Sequence, residues 1–356
     1  MSETNQDGAF AAEILERGAA GFAAAAALRL LNEQPEMEER YSPSALEAWK
    51  SHLTQRVYEL SAAVAVSSSA MFVNRVIWSR RIFEARDYNR EDLGASLSAL
   101  QAVLEEKLPA NARALPLQFV SDARNAVAAQ LEADASLLDP GQAHGLLALQ
   151  YIKCAIEGNA LPAMQVVLDA LESKNLTVED ALLRVLLPAQ AEIGRLWHMD
   201  EITVAEEHLV TTTTRRLMAV IASRAERRRD NGKTAVACSV AGNIHEVGIQ
   251  AIAYLLELEG WRTIYLGANV PPDDLPATLR FFDANVVLLS CALSVHLKNV
   301  RQTIALIRDK GAKDTKILVG GLAFLEAPEL WKQLGADGYA PDAKGALDLA
   351  RSLVES

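Results

Sequence analysis

The sequence predicts a multidomain α and α/β protein with a helical N-terminal domain, a four-helix bundle and a Rossmann-like (flavodoxin-type) parallel-sheet domain. The chain has 356 residues, which is enough for two or three domains with separate cores. As far as about Arg228, apolar residues recur at three- and four-residue steps, which is the helical period. From about residue 233 onward, short apolar runs alternate with helical patterns, which is typical of a parallel sheet covered by helices.

The first 141 residues are predicted to be helical throughout. Residues 1–41 are expected to form a loosely attached leader around an alanine-rich helix. Residues 42–141 form an all-helical domain that starts with an N-cap and a proline in the first turn. Its last helix is expected to run from about residue 117 to residue 135, and residues 138–141, Leu-Asp-Pro-Gly, are the best linker candidate.

The rest of the chain is predicted to hold a bundle and a sheet. Residues 142–230 contain four helical patterns with short breaks, which favours a four-helix bundle. Residues 231–356 contain the alternating strands and helices of the sheet domain. Strands are expected at residues 234–240, 263–266, 286–290 and 316–319. Parallel sheets of this kind bind ligands beyond the carboxyl ends of their strands.

Composition and charge exclude several classes of function. The chain has 35 Lys and Arg against 46 Asp and Glu, a formal charge of -11, which argues against direct DNA binding. Its three cysteines are scattered and form no Cys-x-x-Cys pair, as expected for reduced thiols in the cytoplasm. No segment suits a signal peptide or a membrane span. We therefore expect a cytoplasmic protein whose partner is a second copy of itself or a downstream regulatory protein.

The loop after the first predicted strand carries the most informative residue, His245. A histidine at this edge can offer one ring nitrogen to a metal while a neighbour, for which Asn243 is a candidate, orients the other. Ser290 follows another strand, and Gly320-Gly321 follows the fourth, so the backbone there can approach a ligand closely. Taken singly, an ordinary hydrogen-bonded histidine and ordinary turn residues would explain each feature.

Together these residues resemble a known family. Asn243-x-His245-x-x-Gly248, with Ser290 to Leu293 and Gly320-Gly321 downstream, resembles the cobalamin-binding fold in which an Asp-x-His-x-x-Gly loop supplies the lower cobalt ligand. The resemblance covers about residues 233–355. It implies that His245 is the lower cobalt ligand and that the nucleotide tail of the cofactor enters the sheet near the serine and double-glycine loops. Asn243 stands where the family usually has Asp or Glu.

A second motif lies in the predicted bundle. Trp197, nine further residues and then Glu207-His208 resemble the Trp-x9-Glu-His signature of CarH-like photoreceptors, which use adenosylcobalamin. The resemblance implies that Trp197 packs against the adenosyl group, that Glu207 lies near it, and that His208 becomes the upper cobalt ligand after light. Without the cobalamin loop, Trp197 would be a core residue and His208 a surface residue.

The N-terminal helices differ from the winged-helix DNA-binding domain with which CarH-like repressors begin. An extra helical domain on such a core resembles the photocobilins, which combine cobalamin with a biliverdin-type bilin. Arg75, Trp78 and Arg86 are the candidates for pairing with the bilin propionates and stacking on its rings. No cysteine precedes Cys154, so biliverdin within this domain would be bound noncovalently. A solvated basic face or a partner-binding helix is the alternative.

The motifs together predict a cobalamin-dependent light sensor and not an enzyme. Photolysis of adenosylcobalamin, followed by ligation of cobalt by two histidines, would drive a conformational or oligomeric switch, with a bilin as a second chromophore. The first alternative is a corrinoid methyl-carrier protein of a methyltransferase system. The second is a cobalamin-dependent antirepressor that acts by binding another protein.

Overall fold

The computed structural model describes residues 3–129, 135–310 and 314–355. The chain divides into two compact units between residues 132 and 133. Helices make up the first unit, whereas the second contains a helical bundle and a five-stranded parallel sheet. This confirms the predicted α and α/β fold. Among the described helices, none is long and apolar enough to cross a membrane.

The first unit is built around its N-terminal helix. Leu15, Ala23 and Leu30 of this helix are fully buried, and it packs on the third and fifth helices. The expectation of a loosely attached leader is therefore wrong, because the small alanine side chains let neighbouring helices approach closely. The helices are α1 (Glu3–Glu33), α2 (Glu36–Arg40), α3 (Ala45–Ala65), α4 (Ser69–Ala85), α5 (Arg90–Lys107) and α6 (Ala114–Ala128).

Residues 138–141, the best linker candidate in the sequence, lie inside the second unit, which begins at residue 133. Leu138 is buried in the core of the second unit. Asp139 lies close to Gly145: a Cβ atom on Gly145 would lie 2.1 Å from the Asp139 carbonyl oxygen. This segment is therefore docked on the second unit. The last predicted helix of the first unit ends earlier than expected, at the end of α6, and residues 130–134 lie outside the described part of the chain.

The second unit begins with the predicted four-helix bundle. Its helices are α7 (Ala143–Ile156), α8 (Ala160–Glu172), α9 (Val178–Asp180) continuing through a π-helical turn (Ala181–Leu186) into α10 (Leu187–His198), and α11 (Val204–Arg224). Pro188 follows the π-helical turn. Because proline lacks an amide hydrogen and its ring crowds the carbonyl four residues earlier, it disfavours a regular α-helix at this point. Thr203 and Glu206 form a capping box that starts α11.

The sheet follows the bundle, with the strand order β2-β1-β3-β4-β5 and parallel pairing throughout. All seven residues of β1 are buried, as expected for a central strand. The order reverses at β1, where ligands bind in open sheets of this type. The elements are β1 (Thr234–Val240), α12 (Val247–Leu258), β2 (Arg262–Val270), α13 (Leu275–Phe281), β3 (Val286–Ser290), α14 (Leu297–Asp309), β4 (Lys316–Gly320), α15 (Leu322–Leu325), α16 (Leu330–Leu334), β5 (Gly338–Ala340) and α17 (Ala343–Glu355).

Gly321, directly after β4, provides a first test of the fold. Its φ is 99°, and a Cβ atom would lie 2.4 Å from the carbonyl oxygen of Cys291. We expect Gly321→Ala to lower the free energy of unfolding by at least about 3 kcal/mol, because both the backbone strain and the overlap must be relieved. Gly194→Ala is the control: it lies within α10, and apart from its chain neighbours and the nearby backbone of its own helix no described atom comes within 4 Å of the new Cβ, so a gain of about 0.5 kcal/mol is expected. Denaturant unfolding of both variants measures the difference, and equal stabilities would contradict this backbone assignment.

Candidate functional site

The loop between β1 and α12 is held at the carboxyl edge of the sheet. Hydrogen bonds reach it from the end of β2, from α14 and from β1 itself, so its backbone is fixed on three sides. The Asn269 side chain accepts from the Gly242 amide at 2.7 Å, Asn299 donates to the Ala241 carbonyl at 2.6 Å, and Ser239 donates to the His245 carbonyl at 3.0 Å. His245 therefore stands on a rigid support.

Asn243 determines which nitrogen of His245 faces outward. Its side chain is fully buried, and its amide nitrogen donates to the carbonyls of His245 at 3.2 Å and Ser290 at 3.3 Å. These two acceptors fix the amide orientation, so its oxygen faces His245 Nδ1 at 3.2 Å. His245 must then donate from Nδ1, which leaves the lone pair of Nε2 available to a metal.

The electrostatic surroundings keep His245 in the form that binds metals. Partial burial lowers the pKa of His245, and the negative charge of Glu207 acts in the opposite direction. His296 also lies nearby, and the pKa of its imidazole is lowered by burial and by His245. A neutral imidazole is the form that ligates metals.

The bundle carries a second histidine with the same arrangement. The side chain of His208 is 73% exposed, and its Nδ1 is hydrogen-bonded to one oxygen of Glu207. The Thr211 hydroxyl lies 2.7 Å from the other oxygen of Glu207 and 2.8 Å from the side-chain oxygen of Gln190 in α10, and it can donate its one proton to either. Nδ1 of His208 is therefore occupied, and Nε2 is the outward nitrogen. Trp197 lies half-buried near the end of α10.

Two observations bring the bundle and the sheet edge together at this site. The charge of Glu207 in α11 affects the pKa of His245, and Arg215 of the same helix forms an ion pair with Glu246 at 2.8 Å. Arg215 and Glu246 were not among the site residues predicted from the sequence. Both could have been found in the sequence. Glu246 lies inside the motif Asn243-x-His245-x-x-Gly248. Arg215 is seven residues from His208 and therefore lies on the same face of the helix.

A cavity of about 230 Å³ lies beside the loops that follow β3 and β4. It brings together four of the residues singled out in the sequence, whereas Leu293 is not among those lining it. A Cβ atom at Gly320 would lie 3.1 Å from the Ala340 carbonyl oxygen, so a larger residue there would need β5 to shift by a few tenths of an ångström. The lining is mostly apolar and consists of Leu187, Gly248, Ile249, Ile252, Leu288, Leu289, Ser290, Leu318, Gly320, Gly321, Leu322, Leu325, Ala340, Pro341, Asp342, Ala343 and Ala346. Such a cavity suits a largely apolar group.

In the first unit, the predicted bilin residues lie on α4 and at its end. The Arg75 guanidinium lies 5.8 Å from the centre of the Trp78 ring, and Arg86 is the C-cap residue of α4. Arg80, a neighbour of these residues, is buried and bonded to Glu84 and to the Ala129 carbonyl. It is therefore part of the helical core and not available to a ligand.

An aromatic cluster in this unit was not predicted from the sequence. The rings of Tyr41, Trp49, His52, Phe83 and Tyr88 lie 5.2 to 6.2 Å from their neighbours. Trp49 Nε1 and His52 Nε2 are buried, and neither has a hydrogen-bond partner among the described residues. Burial, reinforced by the charge of Arg56, lowers the pKa of His52 to about 3. The signal was the spacing of Trp49, His52 and Arg56, which places polar groups beside the apolar stripe of α3.

Comparison with known proteins agrees with this description of the second unit. Residues 233–348 match a model of the B12 binding domain, and residues 147–222 match a second model of that description. Dimethylamine corrinoid protein 1 of Methanosarcina mazei is 27% identical over 118 residues, which are 33% of this chain and 53% of that protein. Dimethylamine corrinoid protein 3 of Methanosarcina acetivorans is 28% identical over 118 residues, 33% of this chain and 54% of that protein. The chain thus spans about half the length of these relatives.

The solved structure of the Methanosarcina barkeri monomethylamine corrinoid protein shares the fold. It superposes with a TM-score of 0.52 and 15% identity, covering 60% of this chain and 99% of that one. The fold and both domain matches define the class of the second unit: it is similar to B12 binding domains in which a helical cap precedes a Rossmann-like sheet domain. Within that class, the chain is similar to corrinoid proteins.

Proposed function

We propose that cobalamin is held at the edge of the sheet with His245 as the lower cobalt ligand. The observation that carries this proposal is the Asn243 amide, which leaves His245 Nε2 as the outward nitrogen. The apolar cavity beside Ser290, Gly320 and Gly321 would take the nucleotide tail. Donor type, protonation state and cavity therefore fit the cofactor.

We further propose that the protein is a light sensor and not an enzyme. Adenosylcobalamin supplies a cobalt–carbon bond that light can break. Trp197 would pack on the adenosyl side, and Glu207 would keep Nε2 of His208 directed outward. His208 would become the upper ligand after illumination, and the resulting movement of α11 would be the switch. A second copy of the chain or a downstream regulatory protein would respond to that movement.

Absorption spectra test this function directly. The purified protein is loaded with adenosylcobalamin or with methylcobalamin in the dark, and spectra are taken before and after illumination. A sensor of this kind should bind the adenosyl form and give a stable two-imidazole spectrum after light. Binding of methylcobalamin alone, or a light product without protein imidazole above the cobalt, would contradict the sensor proposal.

A corrinoid methyl carrier is the second candidate. The observation that favours it is the similarity to the two dimethylamine corrinoid proteins, and its partner would then be a methyltransferase. Against it stands His208, whose outward nitrogen would compete for the cobalt face at which a methyl group must arrive. A cobalamin-dependent antirepressor would share the sensor chemistry and differ only in its protein partner.

For the first unit we propose noncovalent binding of a bilin such as biliverdin. Burial, with a smaller contribution from the charge of Arg75, lowers the pKa of Arg56, whereas the carboxylate of Glu59, 2.7 Å from Arg56, acts in the opposite direction. An anionic ligand would relieve the repulsion between these two cations. The buried ring nitrogens of Trp49 and His52 would gain a polar partner, and the surrounding rings offer apolar walls.

Coexpression of the full chain with a haem oxygenase tests the bilin. We expect a red or far-red absorption band that disappears when the protein is denatured and extracted, because no thioether holds the pigment. Arg75→Gln and Arg86→Gln should weaken the band severalfold, whereas Arg17→Gln, at a largely exposed surface pair with Glu13, should leave it unchanged. Cobalamin bands alone, with no binding of added biliverdin at micromolar concentration, would leave this unit as a partner-binding or dimerisation module.

A further inference from the structure

Glu246 connects three elements at the candidate site. It directly follows His245 in the loop after β1. Its carboxylate accepts a hydrogen bond from Tyr265 of β2 at 2.6 Å and pairs with Arg215 of α11 at 2.8 Å. One side chain therefore joins the histidine loop, the neighbouring strand and the bundle.

Arg215 makes a second contact with the sheet domain. Its Nε donates to Gln250 of α12 at 3.1 Å, and Gln250 donates to Tyr254 one turn further on. The guanidinium therefore bonds both the histidine loop and the first turns of α12. The Glu246 side chain is 14% exposed and that of Arg215 is 43% exposed, so the carboxylate is largely shielded from water. A shielded pair with two further hydrogen bonds is stronger than an isolated surface pair.

The position of Arg215 on its helix relates it to His208. Seven residues correspond to nearly two full turns, so both side chains lie on one face of α11, separated by about 10 Å along the axis. Leu217 and Ile221 of α11 and Leu256 of α12 belong to one apolar core. Beyond the end of α11, Arg227 pairs with Glu257 near the end of α12 at 3.0 Å, far from His208 along the helix. Apolar contacts have little directional preference, whereas the ion pair of Arg215 fixes one rotation and one axial position of the helix.

We infer that Arg215 and Glu246 are positioning residues that latch α11 to the His245 loop and so direct His208 toward the cobalt. The inference rests on the proposed cobalamin site. When the latch breaks, the N-terminal part of α11, which carries His208, can shift while the contact of Arg227 with Glu257 holds the other end, and the upper face opens to solvent. The latch therefore controls how readily His208 holds its place as the upper ligand.

Ligand exchange tests the latch. The full chain is loaded with aquocobalamin, the two-imidazole spectrum is recorded, and the rate at which cyanide displaces the upper ligand is followed by stopped-flow absorption. Arg215→Gln and Glu246→Gln should each accelerate displacement about fivefold, equivalent to about 1 kcal/mol. The double variant should be no faster than the single ones, because both remove the same interaction. Arg215→Lys, which keeps the charge, should restore most of the original rate.

Arg351→Gln is the matched control. It removes the same type of charge from the ion pair between α17 and Glu259 at the end of α12, away from the histidine loop. Unchanged rates in Arg215→Gln and Glu246→Gln, or equal acceleration in Arg351→Gln, would overturn the latch while the parent still shows its two-imidazole spectrum. If the parent protein itself fails to bind aquocobalamin or shows no two-imidazole spectrum, the proposed cobalamin site is wrong, and so is the inference about the latch.

Discussion

His245→Ala should bind cobalamin about 10- to 100-fold more weakly than the parent and lose protein imidazole as the lower ligand. The substitution removes the proposed bond from protein to cobalt. It also removes the hydrogen-bond partner of the buried Asn243 side-chain oxygen. The bound cofactor should then be base-on or five-coordinate. Absorption titration gives the affinity, and electron paramagnetic resonance of the reduced cobalt reports the nitrogen ligand.

A second histidine of the same unit provides the control. His144 lies in the first turn of α7, outside the loop and the cavity described above. His144→Ala should bind cobalamin with the parent affinity and spectrum. If His245→Ala also keeps both, His245 is an ordinary hydrogen-bonded histidine at the edge of the sheet.

His208→Ala should respond to light but reach a different final state. The proposed photolysis does not require His208, so the dark protein should bleach at the parent rate. Water should then occupy the upper position, because no second imidazole is available, and the light-state spectrum should be that of an aquo species. The measurement is the absorption spectrum after complete illumination. Because the upper cobalt ligand changes from imidazole to water, we expect a different spectrum and not a small shift of its bands.

Glu207→Gln is the matched variant for His208. A glutamine oxygen can still accept from His208 Nδ1, so the two-imidazole light state should persist in this variant. Identical light-state spectra for His208→Ala and the parent would show that His208 is merely an exposed helix residue.

Most of the fold was predictable because its signals are periodic. The change from a helical period to short buried runs near residue 233 separated the bundle from the sheet. β5, with three residues, is too short to give such a signal and was not predicted. The attachment of α1 was also missed, because alanine side chains are helix-forming whether they are exposed or packed; burial of Ala23 and Leu30 depends on the partner helices.

The candidate site was predictable where its residues are close in sequence. Asn243 and His245 are two residues apart, and their hydrogen bond follows from a local loop. The pairing of Arg215 with Glu246 joins residues 31 positions apart on different elements, and only the packing of the bundle on the sheet creates it. The aromatic cluster of the first unit likewise combines residues from separate segments: the spacing on α3 indicates Trp49 and His52, but Tyr41 and Tyr88 join them only through packing.

The π-helical turn before α10 constrains how this chain can be compared with relatives. Such a turn accommodates one residue more than a regular helix, and each residue turns the remainder of the helix by about 100°. Without that extra residue, Leu187 would leave the cavity wall and Trp197 would point a quarter of a turn or more away from its present direction. An evolutionary deletion within Ala181–Leu186 would therefore turn Trp197 away from the proposed upper side of the cobalamin site while every residue of the tryptophan and histidine motif stayed in the sequence. Alignments that allow no gap in this helix would overlook the loss.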